Sequence, residues 1–136
     1  MTSCVFCDII SRKIPGKIIF ENKKTLAFLS NKADVSGHIL IIPKDHCTNL
    51  NDITDENFIE LQRTLLKINN HIINTCGYTG VNILMASGES AGQSIQHIHF
   101  HLIPRNFNDS ITAWPELSKE KQETSDVLYQ KLKITF

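Results

Sequence analysis

The sequence predicts an α+β fold: a five-stranded antiparallel sheet with one long helix and a short N-terminal helix, followed by a polar, helical C-terminal tail. Three observations lead there. Five short apolar runs stand between turn residues, in "KIIFE", "KTLAFLS", "HILIIP", "GVNILMA" and "SIQHIHFHLI". Hairpin-length links favour antiparallel neighbours with helices packed on one face. Only one stretch, beginning after Thr54, sustains a helical period.

Taken in order, "CVFCDIISRKIPG" opens with Cys-x-x-Cys and reads as a short helical turn ended by Pro15-Gly16. "KIIFE" and "KTLAFLS" are β-rich and flank Asn22-Lys23, a hairpin signal. "HILIIP" is a third strand, stopped by Pro43. Thr54 is the N-cap of the long helix, with Asp55 and Glu56 in its first turn. Phe58, Leu61, Leu65, Ile68 and Ile72 form its apolar stripe, and Gly77 is its stop signal. "GVNILMA" and "SIQHIHFHLI" are the fourth and fifth strands, joined by the loop "SGESAGQ", and Pro104 ends the last run. Beyond Asn106 the chain turns polar, with a mostly surface helix expected from about Pro115 to Lys133. Two segments result: a domain over residues 4–105 and a C-terminal extension over 106–136.

At 136 residues the chain has the size of one domain able to bury an ordinary core. Lys+Arg and Asp+Glu both total 14, so no basic excess supports a broad nucleic-acid-binding surface. No run approaches the ~20 apolar residues of a membrane span, and "MTSCVFCD" lacks the features of a signal peptide. A cytoplasmic location is therefore expected. Among the four cysteines, the close pair Cys4-x-x-Cys7 points to metal binding before disulfide formation. Cys47 and Cys76 read as packing residues and His71 as surface.

The chemistry concentrates in "GQSIQHIHFHLIPR", where His97, His99 and His101 alternate with Ile98, Phe100 and Leu102. On a strand the three rings share one face, about 6.6–6.8 Å apart, with the apolar partners turned to the core. That spacing is too wide for one metal to take all three along a straight strand. A half-exposed, merely His-rich strand is the alternative. Imidazole, with an ordinary pKa of about 6.5, offers a neutral nucleophilic nitrogen at neutral pH. Gln93, Ser94 and loop amides around Gly92 are donors suited to a phosphate.

"AGQSIQHIHFHLIPR" resembles the signature of the histidine-triad nucleotide-binding superfamily, in its Hint-like branch. "CVFCDIISRKIPGKIIFE", "TLAFLS" and "GHILIIPKDH" are similar to the same family in order and spacing. The resemblance spans residues 4–105. It implies an enzyme, a nucleotidyl hydrolase or transferase acting on nucleoside 5′-monophosphate conjugates such as phosphoramidates. His99 would be the nucleophile, forming a nucleotidyl-histidine that water resolves, which divides one hard displacement into two easier ones. His101 would contact the α-phosphate, Ser94 and Gln93 would bind phosphate or leaving group, and His38 would support the triad. In similar proteins an apolar slot for a purine is built from positions that here read Val5, Phe6, Ile9, Ile14, Phe28, Leu29 and Leu40.

The resemblance also implies a structural zinc site. A zinc ion on the cysteine pair needs two more ligands, for which His46 and His97 are the candidates. Relatives bearing this pair complete a Cys₂His₂ site with the equivalent histidines. They are homodimers joined edge to edge, and a segment such as Trp114-Pro115 would reach a partner's pocket. Two positions depart from the pattern. Ser30 stands where the family has a ribose-binding acid, and Ala86 where it has Asn. Each lost neutral hydrogen bond costs about 0.5–1.5 kcal/mol, with Asn31 a possible substitute beside Ser30. A nucleotide sensor with little turnover is thus the second reading, and a zinc hydrolase with an open metal site the third.

Overall fold

The computed structural model describes residues 3–31, 37–113 and 123–135. Its elements are α1 (Val5–Ile10), β1 (Ile18–Glu21), β2 (Thr25–Leu29), β3 (Ile39–Pro43), α2 (Asp55–Asn74), β4 (Gly80–Leu84), β5 (Phe100–Arg105) and α3 (Ser125–Leu132). The strands form one antiparallel sheet in the order β1-β2-β3-β5-β4, which is the α+β architecture the sequence predicts. No helix among the described residues is long and apolar enough to cross a membrane.

Strand parity divides the core in two. Ala27, Ile39, Ile41 and Leu102 face α2, whose Leu61, Ile68 and Ile72 complete one cluster. Leu26, Phe28, Leu40 and Ile42 face the other way and meet Phe6 and Ile9 of α1. The two helices therefore cover opposite faces of the sheet, not one shared face as hairpin-length links imply. α2 begins as its sequence predicts: the Thr54 hydroxyl accepts from the Asn57 amide at 3.2 Å, and Asp55 and Glu56 lie at the positive end of the helix dipole.

One polar pair ties α2 to β2 inside the core. The hydroxyls of Thr25 and Thr64 are 2.6 Å apart, and Thr25 Oγ1 donates to Asn22 Oδ1 at 3.0 Å. Thr64 is therefore the donor within the pair. Thr64→Val is expected to cost about 1 kcal/mol, the net worth of one buried hydrogen bond, read as a lower urea midpoint at unchanged slope.

Several expected boundaries shift. β5 starts at Phe100, not Ser94, and runs through Pro104 to Arg105. Pro104 is tolerated because β3 pairs only with residues 100–102, so its missing N–H costs no ladder bond on that side. After β5 the Arg105 guanidinium donates to both Asp109 carboxylate oxygens at 2.8 and 2.9 Å and to Asn82 Oδ1 at 2.6 Å. Those bonds hold the Asp109 carboxyl well below the usual carboxylate range. The knot carries the sheet's hold on the chain to Ile111, whose carbonyl also accepts from Arg105. Of the expected tail helix, Ser125–Leu132 is helical; Trp114, Pro115 and the residues up to 122 lie outside the described segments. Cys47 is buried, but Cys76 is exposed, contrary to its reading as a packing residue.

Candidate active site and metal-ligand cluster

The histidine row is built on a bend as well as a strand. His101 lies in β5 opposite Leu40 and Leu84, whereas His97 and His99 precede the first ladder pair. No strand ladder holds those two residues; side-chain and single backbone anchors do. The Ile98 amide donates to the Cys47 carbonyl at 2.9 Å, and His97 Nε2 donates to the Pro43 carbonyl at 2.8 Å. His97 is fully buried, with His99 nearly so. The rings of His99 and His101 nonetheless come within 4.7 Å, edge to face, much closer than a straight strand would bring them.

His99 Nδ1 lies 2.8 Å from the His97 carbonyl oxygen. A carbonyl only accepts, so the proton resides on Nδ1 and the neutral ring carries its lone pair on Nε2. His38 Nε2 and His101 Nδ1 are 2.8 Å apart, with the two rings stacked. When His38 donates in that pair, His101 holds its own proton on Nε2, the tautomer that can donate to a phosphate oxygen. Phe6 fixes the row from below, edge to face with His99 at 5.1 Å and with His97 at 5.7 Å between centroids.

At the other end of the row four donor atoms converge. Cys4 Sγ, Cys7 Sγ, His46 Nδ1 and His97 Nδ1 all lie within 4.8 Å of one another. Cys4 Sγ is 3.3 Å and Cys7 Sγ 3.6 Å from His97 Nδ1, and Cys7 Sγ is 3.4 Å from His46 Nδ1. A tetrahedron with bonds of ~2.3 Å to sulfur and ~2.0–2.1 Å to nitrogen has edges of roughly 3.3–3.8 Å, close to these values. His97 also meets the electronic requirement: its Nε2–H is spent on Pro43, so Nδ1 presents a lone pair. It lies only 3.1 Å from His46 Nδ1, an approach that a cation between the two lone pairs makes favourable. Burial pushes the His97 imidazole down to about 4, with His46 and His99 adding to the effect against the Pro43 hydrogen bond. Burial and Cys4 push the Cys7 thiol up to about 11. The residues fit a closed four-coordinate site.

The remaining expected site residues separate. Phe6, Ile9, Phe28 and Leu40 form one apolar cluster on the histidine face. Val5 and Ile14 are exposed at its margin. Leu29 packs in the α2 cluster on the opposite face, because adjacent strand residues point opposite ways; this corrects its place in the nucleoside slot. Ser30 is half-buried, its amide donating to the His38 carbonyl at 2.8 Å, and Asn31 is exposed. Gly92 and Ser94 are exposed in the loop before the row. Gly88 and Gly92 flank the 3₁₀ turn Glu89–Ala91 with positive φ, 102° and 96°, and Gly92 is left-handed.

Gln93 is turned inward, contrary to its expected contact with phosphate. Its side-chain NH₂ donates to the Thr48 carbonyl at 2.6 Å and the Ile95 carbonyl at 3.0 Å, while its oxygen accepts from the Gly88 amide at 2.9 Å and Asn49 at 3.4 Å. Both donors and both acceptor positions are in use. Gln93→Ala is expected to cost about 2–4 kcal/mol, from several hydrogen bonds at ~0.5–1.5 each, and to raise amide exchange across residues 87–95. The inward brace by Gln93, the Pro43 carbonyl and the wedge of Phe6 have no local sequence signal, although Gln93 lies within the histidine motif and Phe6 between the two cysteines.

Comparison with known proteins places this geometry in a family. The model described as HIT domain matches residues 11–108. The adenosine 5′-monophosphoramidase of Saccharomyces cerevisiae is 36% identical over 115 residues, 83% of this chain and 70% of that protein. A HIT family protein from Bacillus anthracis superposes with a TM-score of 0.81 at 32% identity, over 95% of this chain and 92% of that one. A Zn-bound histidine triad family protein from Mycobacterium smegmatis gives 0.76 at 31% identity, over 87% and 86%.

Proposed function

The chain belongs to the HIT domain family, and from that premise we propose that it hydrolyses nucleoside 5′-monophosphate conjugates, phosphoramidates foremost, through a nucleotidyl group carried on His99 Nε2. The observation that carries the reading is the 2.8 Å contact of His99 Nδ1 with the His97 carbonyl, which leaves Nε2 as the nucleophilic nitrogen. In the first step Nε2 bonds to the α-phosphorus, the bond to the leaving nitrogen breaks, and that nitrogen keeps the electron pair and takes a proton. Water then attacks the same phosphorus and loses a proton to solvent, the P–Nε2 bond breaks with its electron pair returning to Nε2, and the nucleoside monophosphate departs. His101, held by His38, donates to the phosphoryl oxygens where charge develops. Ser94 assists the leaving group, and the cluster of Phe6, Ile9, Phe28 and Leu40 backs a purine ring.

We assign zinc to the four-donor cluster, as a structural ion tying α1 to the sheet. Thiolate and imidazole donors converging within 4.8 Å, with three sulfur–nitrogen pairs at 3.3–3.6 Å, support it, as does the Zn-bound relative. The chain works as a homodimer in this reading. β4 is an edge strand with Ile83 exposed, and α2 exposes Ile59 and Leu66 beside a groove of about 530 Å³ that also takes in Phe58 and Phe100. Ile59→Arg with Leu66→Arg is expected to give a monomer by light scattering.

Incubation with an adenosine phosphoramidate tests the activity: an acid-labile adduct one nucleotidyl unit heavier is expected. Ser30 and Ala86 favour the second reading, a nucleotide sensor. Tight nucleotide binding with neither adduct nor turnover would establish that reading instead.

A further inference from the structure

We propose that the metal cluster positions the nucleophile: the ion on His97 Nδ1 locks the ring and main chain of His97, and the His97 carbonyl in turn selects the Nδ1–H tautomer of His99. This rests on the metal and covalent readings above and adds a coupling that neither contains.

Two routes join the sites. The first is the backbone. His97 and His99 lie outside the strand ladder, so the direction of the His97 carbonyl is set by local anchors. His97 Nε2 on Pro43 and Ile98 N on Cys47 are two of them, at 2.8 and 2.9 Å. The ion supplies the third, on the opposite edge of the His97 ring from Pro43. With both ring nitrogens tied, the ring cannot swing, and the carbonyl stays 2.8 Å from His99 Nδ1. The second route is α1. Cys4 caps this helix and Cys7 lies in it, so the ion fixes the helix between its two thiolates. Phe6, between the two cysteines, presses on the rings of both His97 and His99. Release of the ion loosens both supports together. Supports of this kind around a functional ring are typically worth about 10–100-fold in activity.

The test reads the ring directly. In full-length protein with isotopically labelled histidine, ring-nitrogen NMR at fixed pH is compared for the zinc-loaded, chelated and cadmium-exchanged forms. The His99 signals are identified by their loss in His99→Gln. The loaded protein should show one Nδ1–H tautomer, and the chelated protein, held well below its melting temperature, a mixture. Cadmium, with longer bonds, should shift the His99 signals in a protein that remains fully folded, so the test survives even where chelation unfolds the chain. Adduct formation should slow about 10–100-fold on chelation while nucleotide affinity stays within roughly twofold. His46→Ala should reproduce the chelated spectrum, and His46→Cys, a four-ligand site again, should restore the loaded one. His99 signals identical in the loaded, chelated and cadmium forms would overturn the coupling. Absence of an adduct in the loaded protein refutes the covalent reading instead, and the tautomer comparison still decides the coupling.

Discussion

His99→Gln is expected to abolish the covalent adduct and to lower turnover of an adenosine phosphoramidate on the order of 10³-fold or more, the scale of losing a covalent nucleophile. The glutamine side chain can still donate to the His97 carbonyl that His99 Nδ1 occupies at 2.8 Å. The substitution thus keeps the local hydrogen bond and removes the basic nitrogen. Its structural cost includes the edge-to-face contacts with Phe6 and His101, about 0.5–1.5 kcal/mol each. In the proposed reading the product nucleotide is held by the apolar cluster and His101, so its affinity should change only about threefold or less, the pattern of a group acting in the transition state. Rapid-quench kinetics with a chromogenic leaving group and intact-mass analysis read both quantities. Wild-type rates in His99→Gln would refute covalent catalysis at this ring.

His101→Gln offers the contrast. Its partner His38 retains a hydrogen-bonding neighbour, and the nucleophile is untouched, so the adduct should still form but more slowly. A loss of about 10²–10³-fold is the scale for one oxyanion donor.

The histidine row shows what the sequence can and cannot reveal about such a site. Alternation placed His99 and His101 on one face, and the resemblance separated His97 from them as a metal ligand. The bend before Phe100 was hidden, since strand periodicity presumes ladder bonds that His97 and His99 lack. Their anchors, the carbonyls of Pro43 and Cys47, lie some fifty residues away in the chain and belong to the backbone, which has no sequence signature. Gln93 illustrates a similar limit. Its place beside Ser94 looked like phosphate chemistry, whereas the fold folds its amide back onto Thr48, Gly88 and Ile95. α2 was legible almost throughout, because cap, charge and apolar stripe agree over the same residues. The side on which α1 packs was not, since a helix of one and a half turns has too few residues to show a face. Leu29 was legible and misplaced: Phe28 and Leu29, adjacent on a strand, cannot both line one slot.

Removal of the proposed metal should also perturb stability strongly. Cys4 caps α1 and Cys7 lies in its first turn, while His46 and His97 come from segments beyond β3 and before β5, so one ion would cross-link three parts of the chain. An ion present at ~100 times its dissociation constant stabilises the folded form by about 2.7 kcal/mol. At a few degrees per kcal/mol for a domain of this size, chelation should lower the melting temperature by about 10 °C, and Cys4→Ser should do the same without chelator. The metal-free protein should also become acid-sensitive. Folding lowers the His97 pKa to about 4 from 6.5, so its stabilising contribution is complete above pH 6.5 and is lost as pH falls toward 4, about 3 kcal/mol in all. Bound metal holds His97 deprotonated and should delay that loss to the pH at which acid expels the ion, since protons compete for the same thiolates and imidazoles. Melting curves at several pH values, with and without zinc, measure both effects. Superimposable curves would mean that the four donors hold no ion that matters to the fold.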